Sequence, residues 1–457
     1  MDGIRIIEGG LSSKRDKDLS HETQNEKAQD LNLFDLYEQD IKEMQAQAEP
    51  TQAMTDADAA PSMIDTEANA QSEEIKLPAP HRRWAWVEID REAIRHNLLA
   101  IRKRIGPGIK IMAIVKADAY GHGAIEVARQ ALLSGAEFLG VANVDEGIEL
   151  RQAGIEAPIL ILTETPQQSI PLVLRYKLIP TITTMEYALA LGEQADAAGQ
   201  AAAYHLKIDT GMNRIGVHYS DAADFLRTIS FHRGLDLQGV FTHFSTADES
   251  DSYEFKLQLE RFNRALDEIR YMGINPGLVH AANSAAAIRY KQTHFDMVRI
   301  GLAMYGLHPS RMTRDLIDLR PAMSVRARIT YVKSVPVGEG VGYNYTYRSP
   351  GSVLIATIPI GYGDGLSRAL SNRMDVMFKG RLCPQVGTIC MDMTMFEIDQ
   401  RSSQLNPRLA ADVGDEVLVV GREGGIELTL DNMAEQLGTI NYELACRFGL
   451  RLQRLLK

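Results

Sequence analysis

Between Trp84 and residue 315 the chain alternates short apolar runs with longer stretches in which apolar residues recur every three or four positions. The runs are IKIMAIV (109–115), FLGVA (138–142), ILIL (159–162), PTIT (180–183), YHLKI (204–208), GVFTH (239–243), LVHAA (278–282) and MVRIG (297–301). Stretches such as HGAIEVARQALLSG and EFKLQLERFNRALDEIRYMG separate them with helical spacing. Near-continuous apolar strands alternating with helices mean a parallel sheet covered on both faces. Eight of them in this length predict a (β/α)8 barrel over residues 81–315. Ahead of the first run, WVEIDREAIRHNLLAIRKRI predicts a short strand and then a helix capped by Asp90 and lined by Ile94, Leu98 and Ile101.

After residue 315 the rhythm becomes strand upon strand. AMSVRARITYVKSV, SVLIATIPIG, MDVMFKG, PQVGTI, TMFEID and EVLVVG carry Gly, Pro and Asp breaks and almost no helical spacing. A β-rich domain over 316–457 is expected. Residues 1–80 differ from both parts: rich in Asp, Glu, Gln, Ala and Thr, they lack the apolar surface to offset chain entropy and are expected to be mostly disordered. Inside them LNLFDLYEQDIKEM (31–44) has the spacing of a short amphipathic helix, either transient or a docking motif.

Composition changes this picture at one point. The formal charge of −11 lies wholly in residues 1–80, which hold 7 basic and 18 acidic residues, against 42 of each in the remainder. The folded body therefore has no net basic field for nucleic acid. No apolar run reaches the length of a membrane span, and the first residues lack the apolar core of a secretion signal. Cys383, Cys390 and Cys446 are an odd count without paired metal spacing, which fits a reducing cytoplasm.

In a barrel of this kind the chemistry sits where the strands end. The first run ends in Lys116, followed by Tyr120, within VKADAYGHG. Taken alone, that lysine admits two readings: a desolvated nucleophile able to condense with a carbonyl, or a strand-end side chain whose head reaches solvent. The other ends decide. YHLKI carries Lys207 and leads to Arg214, GVFTH ends in His243, LVHAA delivers Asn283 and Ser284, and MVRIG delivers Arg299, Gly301 and Leu302. Ser284 with the Gly301 and Leu302 backbone makes an anion cradle near the last strands, where barrels often hold phosphate. His243 offers a flat ring to an aromatic cofactor, and Arg299 a donor to a ring nitrogen. An imine-forming lysine, a phosphate cradle and a partner for a pyridine nitrogen are together what pyridoxal 5'-phosphate requires.

VKADAYGHG, with DTGMNRIG, THFSTAD, ANSAA, RIGLAMYG, VGYNYTY, IPIGYGDG, ICMD and INYE, resembles bacterial alanine racemase from about Trp84 to the C-terminus. The resemblance implies a barrel plus C-terminal β domain, pyridoxal phosphate, and interconversion of L-alanine and D-alanine in the cytoplasm for peptidoglycan. It implies that Lys116 holds the cofactor as an internal aldimine and that Tyr120, Ser284, Gly301, Leu302 and Tyr442 contact its phosphate, with Asn283 beside them. Arg299 would donate to the pyridine nitrogen, His243 would pack on the ring, and Arg214 would bind the phenolic oxygen and the substrate carboxylate. Lys207 matches a lysine that some members carry as a carbamate. Tyr343 and the Met391 backbone would come from the second subunit of a homodimer, Tyr343 acting as the base opposite Lys116. Asp248, Tyr362, Arg368 and Ile440 would line substrate access.

Thr388 departs from the family, many of whose members carry arginine there. In the family the position lines the substrate entry, so the change bears on access, substrate range and turnover, or else this is an ordinary loop threonine. Arg299 cannot protonate the ring nitrogen as a carboxylate partner would, which favours racemase over decarboxylase. A broad-specificity or serine racemase on the same scaffold stays open, since pockets reject single methylene or hydroxyl differences weakly. A one-barrel, non-catalytic cofactor carrier would lack the β domain that carries Tyr343 and Met391.

Overall fold

The structure, a computed structural model, describes residues 83–398 and 410–457. The acidic extension and its amphipathic segment lie outside the described residues.

All eight expected strands form, in parallel, in the predicted order. The Lys110–Ile114 strand pairs with Phe138–Val141 on one side and Met297–Ile300 on the other. Phe138–Val141 pairs with Ile159–Ile161, and a parallel bridge from Leu160 to Ile179 leads on to Thr181–Ile182. Ala202–Asp209, Leu235–Phe241 and Leu278–His280 follow. The ring closes where the Asp296 and Arg299 amides donate to the Val279 and Ala282 carbonyls, at 3.0 and 2.9 Å. Strand alternation then divides the side chains between two cores. Ile111, Ala113 and Val115 face the helices, whereas Met112, Ile114, Leu160, Phe241 and Met297 fill the barrel interior.

The helix before the barrel starts as expected. Asp90 accepts from the Ala93 amide, and Arg91–Ile105 buries Ile94, Leu98 and Ile101. The strand ahead of it, Ala85–Ile89, does not join the barrel. It lies antiparallel to Met323–Arg328 and parallel to the last strand, Gln453–Leu456. A division at residue 315 is thus not purely sequential, because the chain enters through the β sheet before building the barrel. That sheet continues through Glu416–Glu423, Asp375–Phe378 and Arg381–Pro384, and a second antiparallel sheet joins Tyr331–Val335, Val353–Ile358 and Thr394–Ile398.

Two short helices, Leu430–Leu437 and Asn441–Arg447, interrupt the expected run of strands. Thr429 caps the first through the Asn432 amide. Such short helices give too few turns for a clear periodicity, and tertiary packing sustains them. The second packs so closely on the turn after Lys116 that a Cβ on Gly121 would lie 2.4 Å from the Ala445 carbonyl oxygen. No helix among the described residues is long and apolar enough to cross a membrane.

Gly140 gauges the tightness of the interior: a Cβ there would stand 2.6 Å from Ile114 Cδ1 and 3.1 Å from Met112 Sδ. Gly140→Val is expected to lower unfolding free energy by about 1–3 kcal/mol. Urea denaturation checks this, and an unchanged midpoint would show that the interior has slack.

Candidate active site

Lys116 follows the first barrel strand and opens a turn of unusual hand. Ala117, Asp118, Ala119 and Tyr120 all adopt left-handed backbone, with φ of 52, 51, 53 and 55°. L-residues pay about 1–2 kcal/mol each for this conformation, so the turn needs restraints. Glu146 accepts from the Ala117 and Ala142 amides at 2.7 and 2.6 Å. Asp118 accepts from the Ala124 amide at 2.8 Å, and the buried His122 imidazole meets the Ala119 and Tyr120 carbonyls, both at 3.0 Å.

Across the barrel mouth, Arg299 is 4 % exposed and has no carboxylate partner among the described residues. One terminal nitrogen donates to the Thr242 and Ala281 carbonyls and to His243 Nδ1, at 2.8, 3.0 and 3.0 Å. The other donates to His280 Nδ1 and the His280 carbonyl, at 3.1 and 3.2 Å. Arginine only donates, so both Nδ1 atoms accept and these rings are neutral Nε2–H tautomers. His280 Nε2–H then donates to His205 Nδ1 at 2.9 Å. Burial foremost, then nearby positive charge, holds His243 well below its usual pKa and His205 down at about 3. Burial also brings Arg299 itself to about 9, so it stays charged at neutral pH. Its Nε has no acceptor among the described residues and remains able to donate to a ring nitrogen.

Lys207 lies two positions beyond His205 on the same strand face, 5 % exposed, its ammonium 5.5 Å from the Phe241 ring centroid. Burial, then the charges of Arg214 and Arg299, lowers it to about 7. Burial followed by Arg214 also lowers Lys116. Arg214 is exposed, on a loop that Asp209 organises by accepting from the Gly211 and Asn213 amides at 2.9 and 3.1 Å. Four cationic side chains therefore converge at one end of the barrel. Glu146 and Asp209, the acids opposing them, are already committed to backbone amides. Such a centre favours a ligand carrying more than one negative charge.

The cradle also forms. Ser284 Oγ accepts from the Gly301 and Ala303 amides at 3.2 and 3.4 Å, and the Asn283 side chain caps the short helix that Ser284 begins. A Cβ on Gly301 would sit 3.0 Å from the Tyr120 hydroxyl, so this glycine keeps room for an anion beside the phenol. Leu302 follows, buried, and the Tyr442 ring lies 6.3 Å from Tyr120, with Asp248 close enough for its charge to act on Tyr442. These residues fit pyridoxal phosphate: an amine at a strand end, a phosphate cradle, and a donor facing the ring-nitrogen position.

The remaining expected residues form a second group. Tyr343 and Met391 line one depression in the β domain and are 68 and 53 % exposed. The Tyr362 and Gly363 amides donate to the Cys390 and Met391 carbonyls at 3.0 and 2.9 Å, and Arg368 acts on Cys390 by its charge. Ile440 is exposed at the start of the helix bearing Tyr442. No hydrogen bond or ring contact among the described residues joins Tyr343 to Lys116. His205, His280, Phe241, Glu146 and Asp209 were not singled out from sequence. Period-two spacing from Lys207 could have flagged His205, but its partner His280 is visible only once the strands on either side of Leu235–Phe241 are in place.

Residues 89–309 match the family model described as alanine racemase, N-terminal domain, and residues 322–456 match alanine racemase, C-terminal domain. An alanine racemase of Carboxydothermus hydrogenoformans is 42% identical over 371 residues, covering 81% of this chain and 98% of its own length. The structure of an alanine racemase from Clostridium difficile superposes with a TM-score of 0.77 at 38% identity, covering 82% of this chain and 96% of the other. A histidine racemase structure from Leuconostoc mesenteroides has a TM-score of 0.76 at 30% identity, covering 83% and 99%.

The low value at Lys207 has a consequence for stability. An unfolded chain holds this proton up to about pH 10.5, whereas the folded chain releases it near 7. The lysine therefore weakens the fold fully below about pH 7 and progressively less as pH rises toward 10. In buffer free of carbon dioxide, Lys207→Met is expected to raise Tm by several degrees at about pH 6 and by little at about pH 9.5. An equal gain at both would mean that the ammonium is not desolvated.

Proposed function

The chain belongs to the alanine racemase family, and on that premise we propose that it interconverts L-alanine and D-alanine by two-base proton transfer at Cα, supplying D-alanine for peptidoglycan. The observation that supports this reading is Lys116 at a strand end, close enough to Lys207, Arg214 and Arg299 for their charges to act on one another, on a barrel whose last strands bring Ser284 to Gly301. Pyridoxal 5'-phosphate, when bound, supplies the conjugated electron-withdrawing system that makes the α-proton acidic. Lys116 would hold it, with Tyr120, Ser284, Gly301, Leu302 and Tyr442 around the phosphate, Asn283 behind them, His243 on the ring face and Arg299 at the ring nitrogen.

Racemisation takes a proton from one face of Cα and returns one to the other. Lys116, its amine made less basic by burial and by Arg214, serves one face. Tyr343 serves the other. Arg214 seats the substrate carboxylate, and the Met391 backbone closes the pocket opposite. Lys207, brought to about 7, presents enough free amine to take up carbon dioxide as a carbamate, whose charge would anchor Arg214. Arg299, which stays charged at neutral pH, would offer the ring nitrogen a hydrogen bond without giving up its proton, which suits proton transfer at Cα better than decarboxylation or amino transfer.

The two-base scheme requires a homodimer. Tyr343 and Met391 sit with Tyr331, Tyr345 and Met393 on an exposed, largely apolar face that a second copy would cover, bringing Tyr343 to its partner's Lys116. Asp248 and Ile440 from one subunit, with Tyr362 and Arg368 from the other, would then line substrate access. Neither nucleic acid nor membrane enters this reading, and the odd cysteine count supports a cytoplasmic setting. A broader amino-acid racemase is the second reading, favoured by the resemblance to a histidine racemase.

Chiral chromatography of L-alanine, L-serine and L-histidine, each incubated with cofactor-loaded enzyme, separates the two. D-alanine forming far faster than the other D-isomers supports alanine racemase, and comparable rates support the broader enzyme. Lys116→Ala is expected to abolish cofactor colour and activity together. Tyr343→Phe should keep the colour, lose turnover by about a hundredfold or more, and slow α-proton exchange of one enantiomer far more than the other. Equal slowing of both would refute the two-base assignment.

A further inference from the structure

The Tyr343 ring is open to solvent on this chain, so its placement rests on the backbone beneath it. That backbone is strained: Gly342 has φ of 72°, and Asn344 and Tyr345, at 61 and 45°, adopt the left-handed conformation. This backbone is costly for Tyr345 and less so for Asn344, and the turn persists only if its surroundings hold it. On one side the Tyr345 ring folds over Gly340, where a Cβ would lie 2.1 Å from Tyr345 Cδ1. Arg348 covers that ring at 5.4 Å.

On the other side stands Thr388, 4 % exposed. Its hydroxyl donates to the Tyr343 carbonyl at 3.0 Å and lies 3.3 Å from the Thr346 hydroxyl. Thr388 has one proton to give and gives it to Tyr343, so Thr346 must donate to Thr388. The Thr346 oxygen in turn accepts from Asn372 Nδ2 at 3.0 Å. Asn372 is fixed by its own amide on Gln385 Oε1, at 2.6 Å, and by accepting from the Gly387 amide at 2.7 Å. Every link runs in one direction, from Asn372 to the Tyr343 carbonyl. An arginine at 388 could not fill this small buried slot and donate the same short bond.

We propose that Thr388 is a positioning residue for Tyr343, the end of an Asn372–Thr346–Thr388 strut that fixes the turn presenting the phenol. The proposal rests on Tyr343 being a base. It assigns this position a role in turnover rather than in access.

The test compares Thr388→Val, Thr388→Ser and Tyr343→Phe as holoenzymes, following α-proton exchange of each alanine enantiomer in deuterated water. Racemisation rates cannot reveal asymmetry, because an equilibrium constant of one ties the kcat/KM values of the two directions together. Exchange without inversion can. Thr388→Val should keep cofactor absorbance and KM, lower kcat about five- to tenfold, and slow mainly the enantiomer that Tyr343→Phe slows. Thr388→Ser should recover to within about twofold. If Tyr343→Phe is one-sided while Thr388→Val slows both enantiomers equally or neither, the Thr388 assignment is wrong and the base assignment stands. If Tyr343→Phe is itself symmetric, the base assignment fails and takes the strut's catalytic role with it. Should Thr388→Val not fold, Thr346→Val removes the preceding link and is read by the same outcomes.

Discussion

A guanidinium buried in a barrel with no carboxylate beside it is the constraint to which the rest of this site answers. Desolvating a charge is expensive, and Arg299 offsets that cost with carbonyls and imidazoles in place of an ion pair. Acceptors of that kind leave the charge intact. Burial is the main reason that His205, His243 and His280 stay neutral and that Lys207 and Lys116 are lowered, and the Arg299 charge adds to each of these shifts.

Strain is the second recurring device. Left-handed backbone appears at the turn after Lys116 and again at the turn after Tyr343, the two residues assigned to opposite faces of Cα. In each case side-chain hydrogen bonds hold a conformation the local sequence disfavours: Glu146 from a neighbouring helix with Asp118 and His122 of the turn itself at the first, Thr388 at the second. Proton transfer tolerates little misplacement, and a turn confined to one unusual geometry is stiffer than a relaxed loop.

The described chain holds two partial sites. The barrel end collects cations and an anion cradle, and the β domain presents an exposed tyrosine and methionine on a separate surface. The same β domain packs Gly121 against Ala445 and thereby braces the lysine turn from below. It thus supports the lysine turn of its own barrel.

Eight apolar runs separated by helical intervals carry enough periodicity to define the barrel, because a strand buried on both faces must be apolar along its whole length. Lys116, Lys207, His243, Ser284 and Arg299 were legible for a related reason, since polar residues closing such runs are too costly to stand there idly. The opening strand was not legible as part of the β sheet, because AWVEI pairs with residues more than 200 positions away and carries no mark of its partners. His205 and His280 were not legible as a pair, because only the folded barrel sets His280 Nε2 2.9 Å from His205 Nδ1. The sequence by itself determined which elements form and which chemical groups the barrel presents, because both follow from local periodicity and the cost of burying polar atoms. Only the tertiary structure decided which histidines accept from Arg299, how far Lys207 is depressed, and that a threonine hydroxyl holds the Tyr343 carbonyl. Those properties depend on distances of about 3 Å between residues far apart in the chain, and no local pattern encodes them.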